Sequence, residues 1–127
     1  MSFRLSSRSR SRLIGVHPDL VRVVERAIRL SEVDFMVTEG LRSRERQAQL
    51  VRAGASRTLA SRHLTGHAVD VAAIVGGKVR WDWPLYPRIA TAFKAAAAEQ
   101  GVALVWGGDW KRLRDGPHFE LKRSLYP

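Results

Sequence analysis

Two short stretches of the sequence carry the side chains best suited to chemistry. Residues 61–70 read Ser-Arg-His-Leu-Thr-Gly-His-Ala-Val-Asp, and residues 115–120 read Asp-Gly-Pro-His-Phe-Glu. The chain has no cysteine, so a metal site would use imidazole and carboxylate groups, which bind borderline cations such as zinc. We predict His63, Asp70 and His118 as metal ligands, with Asp115 as a spare acid beside them. Such a set is typical of a hydrolytic zinc site.

The spacing of His63 and Asp70 restricts the structure that could join them. On one helix, residues seven apart would lie ~10 Å apart along the axis, too far for ligands about 2 Å from one ion. On one strand, an odd offset places them on opposite faces. The pattern therefore predicts a loop that bends at Gly66 and then enters a strand. His67 is the competing ligand, but its odd offset from Asp70 predicts that it lies on the other face.

The second stretch predicts a loop followed by a strand. The Gly116–Pro117 pair disfavours a helix through Asp115 and His118. Alternation along the strand would direct His118 and Glu120 toward the site and their apolar neighbours toward the core. Asp115, on the loop, would lie near the metal without binding it, which is the position that a general base requires.

Other polar groups are candidates for supporting roles. Arg42 follows Glu39 at a predicted strand-to-helix turn and is our candidate for an oxyanion contact; an ion pair with Glu39 or Glu45 is the alternative. Ser61 is a candidate to orient the first ligand loop by hydrogen bonding; an ordinary loop serine is the alternative.

Asp109 and Glu120 are candidates to anchor the ligand imidazoles, since metal-binding histidines usually need such partners. Surface ion pairs are the alternative for both. Trp106 is a further candidate to support the site or contact the substrate. For at least two of the four tryptophans, core packing is favoured over a sugar-stacking groove. The four are Trp81, Trp83, Trp106 and Trp110.

The periodicity predicts a single α+β domain over residues 1–127, with a small antiparallel sheet and about three helices against one face. The predicted helices begin at Pro18, cover 44–53 after a Ser43 cap, and run from the Pro84–Pro87 region to Gly101. The predicted strands are 35–38, 68–75, 78–83, 102–106 and 118–122. Residues 1–12 carry four arginines and no acid, and they are expected to form a solvated basic arm.

The formal net charge of +10 indicates a polyanionic neighbour. Composition alone favours nucleic acid, but anionic lipids and cell-wall polymers are alternatives. No apolar run approaches the ~20 residues of a transmembrane helix, and the N-terminal arginines precede no apolar stretch typical of a secretory signal. We expect synthesis in the cytoplasm and release by another component if the target lies outside it.

The pattern Ser-x-His-x-x-Gly-x-Ala-x-Asp, with an acid three residues before His-Phe, resembles the D-alanyl-D-alanine carboxypeptidase/VanY group of zinc peptidases. Within that group the chain is similar to the L-alanyl-D-glutamate endopeptidases that phages use as endolysins. The resemblance covers nearly the whole chain, including blocks 15–20, 38–43 and 106–110. It implies a hedgehog/D-Ala-D-Ala-peptidase-like fold with the zinc site at the sheet and an adjoining loop.

The resemblance also implies residue roles: His63, Asp70 and His118 as zinc ligands, Asp115 as catalytic base and Arg42 as the substrate or oxyanion contact. The implied reaction is cleavage of the L-Ala–D-Glu bond of the peptidoglycan stem peptide in the periplasm, leading to host lysis. Separately, we expect the protein to be a monomer. Aspartate at position 115 favours the endopeptidase branch, since carboxypeptidase relatives more often have glutamate there.

Two alternatives remain at this stage. One is a D-Ala-D-Ala carboxypeptidase, and the other is a non-catalytic basic module that binds nucleic acid or anionic lipid. The spacing of the metal-binding groups favours an enzyme, and nucleic acid is not the expected partner.

Overall fold

The structure is a computed structural model that describes residues 2–56, 58 and 60–127. Four α-helices are seen in these residues: α1 (Ser7–Arg12), α2 (Pro18–Leu30), α3 (Arg44–Arg52) and α4 (Leu85–Gln100). The strands are β1 (Asp34–Glu39), β2 (Ala68–Val75), β3 (Lys78–Arg80), β4 (Leu104–Trp106) and β5 (His118–Leu121). Two short 3₁₀ segments cover Arg62–Thr65 and Gly107–Asp109.

The five strands form one antiparallel sheet in the order β1-β2-β5-β4, with β3 paired to β2 beyond the end of β5. β2 lies at its centre because its first half pairs with β5 and its second half with β3. The predicted α+β fold is confirmed. The positions of the metal-binding candidates follow from this topology, since β2 and β5 are neighbours.

The core lies between the sheet and helices α2 and α4, which pack against each other. α2 buries an apolar stripe formed by Leu20, Val23, Val24, Ala27 and Ile28. In α4 the side chains of Ile89 and Phe93 are completely inaccessible to solvent. The Phe93 ring stacks on Phe119 of β5 with centroids 3.8 Å apart. In the described part of the chain, no helix is long and apolar enough to cross a bilayer.

The N-terminal segment differs from the expected solvated arm. Residues 7–12 form α1, which packs along β1, and Ser9 is fully buried. The Ser9 hydroxyl accepts a hydrogen bond from the Val37 amide at 3.0 Å, and Arg12 donates to the Val37 carbonyl at 3.0 Å. Alternating serine and arginine has no apolar stripe, so hydrophobic periodicity could not reveal a helix that docks through polar contacts.

Other element boundaries shift modestly. The hairpin partner β3 ends at Arg80 rather than residue 83, and the Arg80 carbonyl accepts a hydrogen bond from the Tyr86 hydroxyl at 2.8 Å. The predicted loop 55–65 ends in a 3₁₀ segment, and two of its residues, 57 and 59, lie outside the described residues. α1 is the helix that the prediction of about three helices missed.

Replacing Ser9 with alanine should lower the free energy of unfolding by about 1–3 kcal/mol, because the Val37 amide would be buried without a partner. Urea denaturation measures this change. Ser7→Ala is the matched control, since Ser7 is exposed on the same helix and should shift stability by no more than about 0.5 kcal/mol. Equal effects of the two substitutions would contradict the assigned role of Ser9.

Candidate metal centre

Two of the predicted ligands lie side by side on neighbouring strands, and the third approaches from outside the sheet. Asp70 of β2 is directly opposite His118 of β5 and, on its other side, opposite Glu39 of β1. Directly opposed residues of antiparallel strands have Cβ atoms about 4.5–5.5 Å apart. His63 approaches from the 3₁₀ segment. One ligand atom from each of His63, Asp70 and His118 lies within 4.8 Å of the others.

The bend between the 3₁₀ segment and β2 occurs at Gly66, as predicted. Gly66 has a φ of 74°, and a Cβ there would lie 2.4 Å from the Gly15 carbonyl oxygen. Glycine is therefore required for both conformation and space. At the start of the segment, the Ser61 hydroxyl accepts a hydrogen bond from the His63 amide at 3.2 Å. Ser61 thus orients the ligand loop.

The protonation of His63 follows from its surroundings. Its Nδ1 lies 2.9 Å from the Gly40 carbonyl oxygen, which can only accept, so Nδ1 of the neutral ring carries the proton. Nε2 is left with a lone pair. This atom is buried and has no hydrogen-bond partner among the described residues, although the Asp70 Oδ1 atom is 3.2 Å away. Two electron-rich atoms thus face each other at close range.

His118 has a similar arrangement. Its Nε2 lies 2.9 Å from Glu120 Oε1, and its Nδ1 lies 3.0 Å from Asp70 Oδ1. Glu120 therefore anchors this imidazole, as predicted, and Arg62 approaches the other Glu120 oxygen at 3.8 Å. Burial alone would lower the pKa of His118, but the hydrogen bonds to Asp70 and Glu120 raise that pKa to about 9.

Asp70 carries the central negative charge. Burial alone would raise its pKa, yet the hydrogen bond with His118 and the proximity of His63 hold the pKa of this carboxyl well below its usual range. The carboxylate is therefore available as an anionic ligand.

This donor set fits a zinc ion. Ligand atoms placed tetrahedrally about 2.0–2.1 Å from one ion are separated by about 3.3 Å, close to the measured 3.2 and 3.0 Å from Asp70 to the two imidazoles. The unpartnered lone pair of His63 indicates a cation at the common vertex. Glu120, which hydrogen-bonds the ring nitrogen of His118 on the side away from Asp70, is the second partner that metal-binding imidazoles commonly have.

Asp115 lines the same cavity as the three candidate ligands. Its amide donates to the Gly107 carbonyl at 3.0 Å, and a Cβ on Gly107 would lie 2.4 Å from the Asp115 carbonyl oxygen. Glycine at 107 thus allows the two backbones to approach. Burial and the nearby Asp70 charge raise the pKa of Asp115. A carboxyl with a raised pKa beside a metal-binding cluster is suited to proton transfer.

Arg42 lies in the wall of the cavity, with a nearly buried side chain. Its guanidinium donates to Glu39 and, at 2.7 Å, to Gln47 Oε1, and it lies 3.7 Å from the outer Asp70 oxygen. The alternative of a Glu39 ion pair is thus present, but at the site rather than on the open surface. A direct contact between Arg42 and substrate stays a prediction.

Two expectations for the surroundings were wrong. Asp109 does not anchor an imidazole; its carboxylate pairs with Lys94 at 2.7 Å with both side chains about half exposed, the surface ion pair considered as the alternative. Of the four tryptophans only Trp106 is buried, so core packing of two is not found. Trp106 Nε1 donates to the Gly116 carbonyl at 2.7 Å, which supports the loop carrying Asp115.

The structure places Trp110, one of the four tryptophans, at the site and adds Gln47, which sequence reasoning did not single out. The Trp110 ring lies 5.2 Å from the His118 ring and lines the cavity. Gln47 is buried and joins Arg42 to Ser56 through its two amide ends. A fully buried glutamine on a very polar helix was not separable from its exposed neighbours by pattern alone.

His67 lies outside the cluster, as predicted. Its Nδ1 hydrogen-bonds the Thr65 hydroxyl at 2.7 Å, and its ring lies 5.6 Å from His17. His17 in turn caps α2 through Asp19, where its Nδ1 accepts from the backbone amide at 3.0 Å.

Residues 1–126 match the phage L-alanyl-D-glutamate peptidase family. The chain belongs to this family. It is 36% identical to the L-alanyl-D-glutamate peptidase of Escherichia phage T5, over 99% of this chain and 94% of that protein. It is 30% identical to the peptidoglycan L-alanyl-D-glutamate endopeptidase CwlK of Bacillus subtilis, over 70% of this chain and 61% of that one.

Solved structures agree with the family. The L-Ala D-Glu endopeptidase ChiX of Serratia marcescens shares 56% identity with a TM-score of 0.94, covering 99% of this chain and 95% of that one. The D,D-dipeptidase VanXYg has a TM-score of 0.55 at 19% identity, covering 84% of this chain and 50% of that one, which is a likeness of fold. The resemblance inferred from the sequence motifs is confirmed.

Removal of one imidazole from the cluster should greatly weaken zinc binding. We expect His63→Ala to lower zinc affinity by more than ~100-fold, since loss of a partner behind a ligand alone costs about 10–100-fold. His67→Ala is the matched control, because that imidazole lies outside the cluster, and it should bind zinc with nearly normal affinity. Competition with a chromogenic chelator measures both. Stronger loss in His67→Ala would contradict the ligand assignment.

Proposed function

We propose that the protein is a zinc-dependent L-alanyl-D-glutamate endopeptidase that cleaves the peptidoglycan stem peptide. Membership of the phage L-alanyl-D-glutamate peptidase family supports the reaction class. The observation that carries the proposal is the convergence of His63, Asp70 and His118 beside Asp115 in one cavity.

Three atoms would hold the ion: Nε2 of His63, Nδ1 of His118 and a carboxylate oxygen of Asp70. When bound, zinc supplies Lewis-acid polarisation of the scissile carbonyl and lowers the pKa of water. Zinc fits this set of two imidazoles and one carboxylate. With the ion bound, the Gly40 carbonyl would keep His63 in the tautomer that presents a lone pair to the cluster. Glu120 would do the same for His118.

Asp115 is the proposed general base. Its carboxylate would take the proton of the attacking water and transfer it to the leaving amine. The raised pKa of Asp115 brings the group closer to the range in which one residue acts as base and then as acid. The two backbone hydrogen bonds that hold this residue to Gly107 and His118 fix its distance from the cluster.

Arg42 is proposed to stabilise the negative charge that develops on the scissile carbonyl oxygen. Its guanidinium is held by Glu39 and Gln47, so its orientation is set before substrate binds. Such preorganisation is the main advantage of a buried cation in electrostatic catalysis.

The proposed setting is the bacterial cell wall, reached in the periplasm, where hydrolysis of the stem peptide would lyse a host cell. The domain would act as a monomer over residues 1–127. Its net charge of +10 would attract it to the anionic envelope, and this attraction should weaken with salt because exposed charges are screened beyond ~8–10 Å.

Digestion of purified peptidoglycan tests the reaction. The enzyme should release new D-Glu amino termini, and mass spectrometry should show muropeptides split between L-Ala and D-Glu. Thorough chelation should stop release, and zinc should restore it. Release of terminal D-Ala alone would instead establish the carboxypeptidase alternative. Activity that survives complete chelation would contradict the metal mechanism.

Asp115→Asn should lower kcat by about 10²–10⁴-fold, because the amide cannot accept the water proton. Its zinc affinity should stay close to that of the unaltered protein, since Asp115 lies outside the ligand cluster. Asp109→Asn is a matched control on the same connection, because Asp109 pairs with Lys94 at the surface, and it should keep nearly full activity. The initial rate of amine release measures both.

A further inference from the structure

A second cavity continues from the metal centre along the protein surface. The cavity at the cluster has a volume of about 370 Å³ and the adjoining one about 450 Å³. They share lining residues on both walls: Ala55, Ser56, Thr58, Trp110 and Asp115. Together they form one groove, which runs away from the candidate ligands past Asp115 and reaches Arg114 and Leu113.

Among the residues that the structure describes, Arg114 is the cation at the far end of this groove. No carboxylate lies within ion-pair distance of it in residues 2–56, 58 and 60–127. This differs from Arg42 at the inner end, which is held by Glu39. Arg114 therefore has its charge and its fork of N–H donors available for an anionic group in the groove.

The position of Arg114 is set by an aromatic stack. Its guanidinium lies over the Trp83 ring, 5.4 Å from the centroid. The Trp83 ring stacks on Trp106 at 5.9 Å, and Trp106 Nε1 donates to the Gly116 carbonyl. The same stack therefore supports both the guanidinium and the loop that carries Asp115. Cation–π contacts of this kind keep arginine charged while restricting its motion.

The chemistry of the substrate indicates which anion would lie there. This step rests on the proposed function. D-Glu in the stem peptide continues through its side-chain carboxyl, so its α-carboxylate is free. That carboxylate is attached to the same carbon as the leaving amine. Asp115, the proposed donor to the amine, is adjacent to Arg114, with Cα atoms about 3.8 Å apart. The Arg114 guanidinium, next to the proton donor Asp115, is therefore suited to bind the D-Glu α-carboxylate, which is next to the leaving nitrogen of the substrate.

We propose that Arg114 is a specificity residue that binds the free α-carboxylate of the D-Glu residue. Arginine binds carboxylates through two parallel N–H···O bonds, which a carboxamide cannot accept in the same way. The enzyme would therefore prefer stem peptides with free D-Glu over those in which this carboxylate is amidated.

The test uses two synthetic stem peptides that differ only in this group. One contains L-Ala, D-Glu and a third residue joined through the D-Glu side chain; the other has the α-carboxylate converted to a carboxamide. The zinc-loaded full chain should cleave the free acid with a kcat/KM about 10- to 100-fold higher, the range expected for a hydrogen-bonded charge pair. Arg114→Gln should lower kcat/KM for the free-acid peptide by this factor and should change kcat/KM for the carboxamide peptide little. Arg114→Lys should restore part of this loss.

Arg112→Gln is the matched control, since Arg112 is exposed on the same loop and lines neither cavity; it should keep the preference. Equal rates on both peptides with the unaltered enzyme, or an equal loss on both in Arg114→Gln, would overturn the carboxylate assignment alone. If the unaltered enzyme cleaves neither peptide, the proposed function fails, and the assignment fails with it.

Discussion

The negative charge of the half-buried Asp70 is the constraint on which the rest of the site depends. One of its oxygens lies 3.2 Å from His63 and 3.0 Å from His118, while the other faces Arg42 at 3.7 Å. An isolated carboxylate in such a position would be protonated, because burial disfavours the charged form. The hydrogen bond with His118 and the proximity of His63 keep it ionised. The residues that form the cluster are therefore electrostatically coupled, and none can be removed without leaving another charge or lone pair without a partner.

The fold supplies this coupling through strand register and short polar contacts rather than through a large apolar pocket. Neighbouring strands set the separation of Asp70 and His118, and a glycine bend delivers His63 from outside the sheet. The partners on the far side of each imidazole are a backbone carbonyl and a carboxylate. These contacts orient the rings from behind, so the nitrogen atoms of the two imidazoles are directed toward Asp70. Because the side chains that would bind the cation are already ordered, little conformational entropy is lost when it binds, which favours both affinity and selectivity for the cation.

Much of this arrangement could be predicted because it rests on rules of short range. Ala68–Val75 has the β-branched composition and flanking glycines of a strand, and its predicted bounds are those of β2. The prediction that a loop and a strand join His63 and Asp70 followed from two rules alone: the alternation of side chains along a strand, and the distance that seven residues of helix would span. The bend at Gly66 and the alternation of His118 and Glu120 also follow from local geometry.

The features that the sequence did not reveal depend on long-range polar contacts. Helix α1 docks through Ser9 and Arg12, whose partners on Val37 lie 28 and 25 residues away. Gln47 can be buried because its amide forms hydrogen bonds with Arg42 and Ser56. The polarity of glutamine alone would not predict this burial. For Asp109 the sequence left two roles open, an imidazole partner or a surface ion pair, and the structure pairs it with Lys94 of α4. Hydrophobic periodicity contains no information on such pairs.

The docking of α1 on β1 has a consequence for the behaviour of the protein in concentrated solution. β1 is the terminal strand of the sheet order, and an uncovered terminal strand offers free amides and carbonyls to strands of other molecules. Here a serine and an arginine of α1 bind both polar groups of Val37. Arginines on the outer side of the same helix add like-charge repulsion between copies. The short N-terminal helix thus protects the sheet from edge-to-edge aggregation while leaving the groove on the metal side open.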